Sequence, residues 1–344
     1  MRHLLRKLEE IRKDSTCGTF ILADARDADM AWGIPSFGSK RPSSQALAAP
    51  SQTREFRTKP EFLEEIREVV RQGIVDIMLA STSTMDRLAH KERLFESTHV
   101  TPAVRINDAT DVWSARESCY HESPAIPFSS SYIEEVQWGS LTAARQEKPA
   151  VNLGLYSMTF NNDLQSDLRT ANAFRDFRAY AERCGFHYFL EVFAPNVADT
   201  RLAPAQIPNF VNDQIARTLA GVPESGRPLF LKIPYFGPKA LQDLVTYDPS
   251  VIVGILGGAS GTAHDAFKLL ADAQKYGARL ALFGRKIKEA EHPLAFIRLL
   301  RSIVEGDVTP EEAVHAYHGE LSREKIQPKR CIKDDLQLTA AVLK

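Results

Sequence analysis

The chain has 344 residues, with 43 lysines and arginines against 44 aspartates and glutamates, a balance that leaves no broad basic surface for nucleic acid or anionic lipid. Its four cysteines, Cys17, Cys119, Cys184 and Cys331, stand apart without a Cys-x-x-Cys pair, which argues against a disulfide framework or a structural zinc site and suits a reducing cytosol. The N-terminus is charged throughout and no run of 18 apolar residues occurs, so the expectation is a soluble, unexported, cytoplasmic protein.

In chain order, residues 1–18 form an N-terminal helix. Its apolar side chains Leu4, Leu5, Leu8 and Ile11 suit either the bottom of a barrel or a contact with a second copy of the chain, so a homo-oligomer stays open. Eight short runs rich in β-formers follow, at residues 19–24, 74–80, 103–106, 150–156, 187–193, 229–234, 251–256 and 279–283. Helical patterns alternate with them. Phe62, Ile66, Val69 and Val70 make one stripe, and Leu164, Leu168, Ala171, Phe174 and Ala181 another. Pro208 precedes Val211, Ile215 and Leu219 in the pattern of a first helical turn. Thr262 with Asp265 reads as an N-cap and its partner. Leu294, Ile297, Leu300 and Val304 face the last barrel helix inward, Thr309, Pro310 and Glu312 begin one more helix, and residues 322–344 form a polar tail with a short amphipathic end.

This alternation predicts the α/β class: a (β/α)8 TIM barrel with an N-terminal helix and a C-terminal helical extension. It is a single domain over 1–344, with the barrel at 19–305 and the extension at 306–344. A doubly wound open sheet shares the pattern. Residues 25–59 and 107–130 are long segments that follow strands one and three. In a barrel they lie on the active-site face, where they serve as a lid or substrate wall, or are plain surface insertions.

The sixth strand, within Leu229-Phe230-Leu231-Lys232-Ile233-Pro234, is so apolar that its one ionisable residue, Lys232, must face the barrel interior or a partner. Desolvation or a neighbouring cation favours a neutral lysine amine, which can attack a carbonyl carbon to form a Schiff base. A structural ion pair with a buried carboxylate is the other reading. Downstream, Gly257, Gly258 and Ala259 lie between strand seven and a capped helix, where backbone N–H groups can hold a phosphate. Gly284 and Arg285 end strand eight and can meet the same anion.

The run from 229 to 306 resembles the C-terminal half of the class I (Schiff-base) aldolase superfamily of the deoxyribose-phosphate, tagatose-bisphosphate and archaeal-type fructose-bisphosphate aldolases. The resemblance implies that Lys232 is the Schiff-base lysine and that the two glycine turns hold phosphate. Leu22-Ala23-Asp24-Ala25-Arg26 is similar to the first-strand motif that sets a carboxylate beside the lysine, and Glu191 to the acid and base of strand five. Two positions depart from the family. Asn152 stands where the tagatose-bisphosphate branch carries a second lysine, and Phe193 where the fructose-bisphosphate branch carries a tyrosine. If Asn152 replaces that lysine, activation of Lys232 must come from desolvation or from another cation such as Arg26 or Arg105.

The implied activity is a class I, metal-free aldolase acting on a phosphorylated keto or aldehyde sugar, with no cofactor. Lys232 is the nucleophile, Glu191 moves the proton, Asp24 assists carbinolamine dehydration, and Arg26, Asn152, Gly257, Gly258, Ala259, Gly284 and Arg285 bind substrate and phosphate. The alternatives are a phosphosugar isomerase or epimerase with a carboxylate base, and a degenerate barrel that only binds sugar phosphate. His315 and His318, three apart, read as a solvated face rather than metal ligands.

Overall fold

The computed structural model describes residues 1–14, 16–39, 56–258 and 261–344. Eight parallel strands close into a barrel in sequential order: β1 Ile21–Arg26, β2 Ile77–Ala80, β3 Thr101–Arg105, β4 Leu153–Thr159, β5 His187–Phe193, β6 Leu231–Ile233, β7 Val253–Leu256 and β8 Leu280–Phe283. The expected (β/α)8 barrel is therefore the fold. The strands match the expected positions to within a few residues. The largest shift is in β4, which begins and ends three residues later than 150–156, with consequences for the site.

Alternate residues of each strand face two different cores. Ile21, Ala23, Ile77, Leu79, Ala103, Leu153, Leu155, Phe189, Phe230, Ile252, Leu280 and Leu282 fill the barrel interior. Leu22, Met78, Val104, Tyr156, Leu190, Leu231 and Ile255 point outward into the helix layer. Leu4, Leu8 and Ile11 of the helix Arg2–Lys13 join the interior cluster. The N-terminal helix thus closes the bottom of the barrel with the face that could also have served a dimer. Lys7 holds it there through Asp76 at 2.6 Å, a carboxylate that also pairs with Arg301 at 2.9 Å.

The helix layer follows the expected stripes with one change. In Leu164–Cys184 the expected Leu164 and Leu168 are 70% and 50% exposed. The buried face is instead Ser166, Thr170, Phe174, Phe177 and Ala181. Pro208 begins Ile207–Ala220, and the capping boxes of Thr262 and Thr309 start Ala263–Lys275 and Pro310–Arg323. Among the described residues, no helix is long and apolar enough to cross a membrane.

The polar tail is a strap rather than a loose end. Asp335 accepts the Ala263 N–H at 2.7 Å, and Asp265 accepts the Thr339 and Ala340 N–H groups at 2.8 and 3.2 Å. These carboxylates satisfy backbone donors that a helix start and an irregular strap would otherwise bury unpaired. His318 pairs with Asp335 at 3.1 Å.

Candidate active site

Four polar side chains, one from each of four neighbouring strands, meet at the C-terminal end of the barrel interior. Ser157 is in register with Glu191, and Glu191 with Lys232, so β4, β5 and β6 offer them at one level. Arg105, the last residue of β3, reaches across to them. Lys232 Nζ lies 2.6 Å from Glu191 Oε1. The Ser157 hydroxyl donates to Glu191 Oε2 at 2.6 Å, and Arg105 donates to the same oxygen at 3.2 Å and to Ser157 Oγ at 2.7 Å. Arg105 Nε donates to Asp27 at 2.6 Å.

Lys232 is 6% and Glu191 1% exposed. Ions so far out of water persist only when paired and hydrogen-bonded. Two cations and two carboxylates, Arg105 and Lys232 with Asp27 and Glu191, supply that balance. Burial acts to push the Asp27 carboxyl up, but the Arg105 guanidinium and the Lys232 ammonium outweigh it and hold it below the usual carboxylate range.

These groups open onto a cavity of about 280 Å³ lined by Asp27, Trp32, Arg105, Asp111, Glu191, Phe193, Lys232, Gly257, Gly258, Gly284 and Arg285, among others. The loops after β1 and β3 wall one side of it. The segment after β1 is pinned by Lys288, whose Nζ donates to Ser36 O at 2.7 Å, and by Ser81 to Asp29 at 2.7 Å. The loop after β3 carries a small ribbon, Asp108–Ala109 paired with Pro127–Phe128. Its Ser114 N–H donates to Ala31 O at 2.9 Å, tying the first loop to the second. Thr159 donates to Asp111 at 2.6 Å, and burial pushes that carboxyl up. Residues of both the 25–59 and 107–130 segments, Asp27, Ala28, Ala31 and Trp32 of the first and Asp111, Val112 and Ser114 of the second, thus line the cavity.

At the far side, strands seven and eight bring their glycines together. Gly258 has φ +70°, a left-handed turn that glycine enters without strain. Gly284 packs so tightly on β1 that a Cβ would meet Ala25 O at 2.7 Å. Arg285 is exposed at the rim with its guanidinium 5.7 Å from the Trp32 ring centre. The start of Ala263–Lys275 is less available, since Asp335 takes the Ala263 N–H and Thr262 Oγ that of Asp265. Ala259 lies outside the described residues.

Of the expected site residues, Lys232, Glu191, Gly257, Gly258, Gly284 and Arg285 line one cavity. Asp24, Arg26 and Asn152 do not. Asp24 and Arg26 occupy outward positions of β1, bonded to each other at 2.9 Å, with Glu65 of the helix Lys59–Gln72 accepting from Arg26 at 3.3 Å. The carboxylate that faces the cavity is Asp27. Asn152 precedes β4 at the barrel's bottom, bonded to Gln137 at 2.8 Å and to Gly185 O at 3.1 Å. The strand-four position level with Glu191 and Lys232 belongs to Ser157. Arg105 is the nearby cation, and Arg26 is not. Phe193 does line the cavity, on the same face of β5 as Glu191.

The outward placement of Asp24 has a pH consequence. Burial pushes its carboxyl up to about 6, with the Arg26 guanidinium opposing only in part. Folding therefore binds a proton there. That stabilisation is full below the unfolded carboxyl value of about 4 and is lost as pH rises through about 6. Thermal melts between pH 4 and pH 7 should show a downward contribution to stability that Asp24→Asn removes. Identical pH dependence in the two chains would assign the slope to other groups.

No family model matches the chain. The chain is similar to 2-amino-3,7-dideoxy-D-threo-hept-6-ulosonate synthase 1 of Archaeoglobus fulgidus, at 30% identity over 91 residues, which are 26% of this chain and 34% of that protein. The match thus spans about a third of the curated relative's length. Among solved structures, an archaeal fructose 1,6-bisphosphate aldolase superposes with a TM-score of 0.57 at 18% identity, covering 87% of this chain and 99% of its own. A fructose-bisphosphate aldolase from Slackia heliotrinireducens gives a TM-score of 0.62 at 15% identity, covering 91% and 89%. The barrel fold of these aldolases is thus shared over most of the chain, and a sequence likeness to the synthase extends over a quarter of it.

Proposed function

We propose that this barrel is a class I aldolase: Lys232 forms a Schiff base with a phosphorylated keto or aldehyde sugar, and a carbon–carbon bond of that sugar is broken or made. The observation that carries the reading is the contact of Lys232 with Glu191 at 2.6 Å at the inner end of a cavity whose outer end has two glycine turns and an arginine. A Schiff-base-forming fructose-1,6-bisphosphate aldolase is among the structures that share the fold. Free thiols at Cys17, Cys119, Cys184 and Cys331 support a cytoplasmic setting.

The ammonium first passes a proton to Glu191, and the freed amine attacks the substrate carbonyl. The carbinolamine loses its hydroxyl as water, taking up a proton, and leaves an iminium. The iminium then draws in the electron pair of the bond between its α and β carbons, which breaks, and becomes an enamine. A proton must leave the hydroxyl on the departing carbon in that step. Glu191, in reach of Lys232, returns the proton it received to the departing carbinolamine hydroxyl and is then the base free to take this one, while Asp27, the cavity-facing carboxylate where Asp24 was first read, stays ionised beside Arg105. Water and a proton then release the second product and restore the amine.

The test is borohydride reduction in the presence of dihydroxyacetone phosphate, followed by peptide mass analysis. A covalent increment on the Lys232 peptide is the expected result. Turnover of a sugar phosphate without any increment would overturn the Schiff base and leave an isomerase or epimerase that uses a carboxylate base. The phosphate end has its own check. Arg285 is exposed, so Arg285→Ala should fold normally and raise KM for a phosphorylated substrate about tenfold or more, the cost of one charge-assisted hydrogen bond. KM for the unphosphorylated analogue should change little, and an equal change in both would remove Arg285 from the phosphate site.

A further inference from the structure

We propose that Ser157 and Arg105 are positioning residues that make Glu191 a one-sided base, with Oε2 locked and Oε1 alone free to exchange a proton with Lys232 and the substrate. This rests on the Schiff-base reading of Lys232 and adds to it which oxygen works and what holds it.

A carboxylate offers lone pairs on both oxygens, and a base that can turn or accept on either one delivers its proton to no fixed place. Here Oε2 already accepts from Ser157 at 2.6 Å and from Arg105 at 3.2 Å, whereas Oε1 faces Lys232 Nζ at 2.6 Å. The direction of the Ser157 hydroxyl follows from its neighbour. A guanidinium has no acceptor, so with Arg105 donating to Ser157 Oγ at 2.7 Å, the hydroxyl hydrogen is left to point at Glu191.

The support extends outward on both sides. Asn107 brackets the Ser157 backbone, accepting its N–H at 2.7 Å and donating to its carbonyl at 2.8 Å. Asp27 holds the other edge of Arg105 at 2.6 Å. A hydroxyl suits this position electrostatically. Lysine at 157 would put a third cation against two carboxylates, whereas serine passes the polarity of Arg105 to Glu191 without adding charge. The proton that leaves Lys232 therefore sits on Oε1, at the cavity wall, where the carbinolamine hydroxyl must take it up.

A test that does not depend on knowing the natural sugar is reductive methylation of Lys232 with formaldehyde and cyanoborohydride, measured by peptide mass across a range of pH. In Ser157→Ala, Oε2 loses its hydroxyl donor, the negative charge concentrates on Oε1, and its hold on the ammonium tightens. Labelling of Lys232 should then require higher pH than in the parent. The acid limb of kcat/KM should move the same way, with kcat lower by about tenfold. Arg105→Lys keeps the charge but loses the fork, and should shift labelling in the same direction should Ser157→Ala fold poorly. An unchanged pH dependence of labelling in both variants, with only their melting temperatures lowered, would reduce Ser157 and Arg105 to structural parts and overturn the proposal. Absence of Lys232 labelling in the parent at every pH would instead overturn the Schiff-base reading, and this inference with it.

Discussion

Replacing Lys232 with methionine should abolish the borohydride-dependent adduct and lower turnover by at least about 10⁴-fold, the scale on which loss of a covalent nucleophile is felt. Methionine nearly matches the length and shape of lysine, so the barrel interior stays filled. The variant leaves Glu191 facing a thioether at the position where it now meets an ammonium at 2.6 Å. Arg105 and Ser157 still satisfy its other oxygen, so the chain should fold. Steady-state assays, adduct mass analysis and sugar-phosphate binding should be measured on the same preparation. Turnover within tenfold of the parent would assign Lys232 to an electrostatic role and favour an isomerase. Retained sugar-phosphate binding in the variant, with no turnover in the parent, would instead point to a barrel that only binds.

The placement of Lys232 was readable because it is the single ionisable residue in a strand that is otherwise apolar on both faces, and such a strand has few places to put a charge. Glu191 was read from the resemblance of Phe189-Leu190-Glu191-Val192 to the family's fifth strand, since His187 and Tyr188 share that strand. Strand one was harder. Leu22, Ala23, Asp24, Ala25 and Arg26 are followed by Asp27, and a strand with polar groups on one parity and alanines on the other does not reveal by periodicity which side faces the barrel. The resemblance favoured Asp24. The structure puts Ala23 and Ala25 inside and Asp24 with Arg26 outside. Small residues beside the crowded axis and long ones toward the roomier helix layer were the available physical clue.

Strand four failed through register. A strand ending at residue 156 made Asn152 its polar member, whereas the real strand runs to Thr159 and its inward positions are Leu153, Leu155 and Ser157. A slip of an odd number of residues turns every side chain to the other face. The bulky alternates Tyr156 and Met158, both outward, carried the parity. No sequence signal tied Arg105 to Glu191 or Ser36 to Lys288, because such contacts between loops and distant strands leave no local periodicity.

Glu191→Gln should separate two roles that the ion pair conflates. If Glu191 is the base, glutamine cannot take the proton, and kcat should fall about 10²- to 10⁴-fold. Formation of the adduct should fall far less, because water can supply the proton that dehydration takes up. With its carboxylate partner gone, a lysine that is 6% exposed keeps its charge at a cost of several kcal/mol, on the order of the 3–5 kcal/mol lost when one member of a buried pair is removed. Shedding the proton avoids that cost and leaves a neutral amine ready to attack a carbonyl. Borohydride trapping should therefore persist, at lower pH than in the parent, while cleavage of the carbon–carbon bond stalls. A purely structural Glu191 predicts the reverse pattern, with a lowered melting temperature and trapping and turnover reduced together. Measuring both rates from pH 5 to 9 on one variant decides between them, because only a base at Oε1 uncouples the making of the iminium from its use.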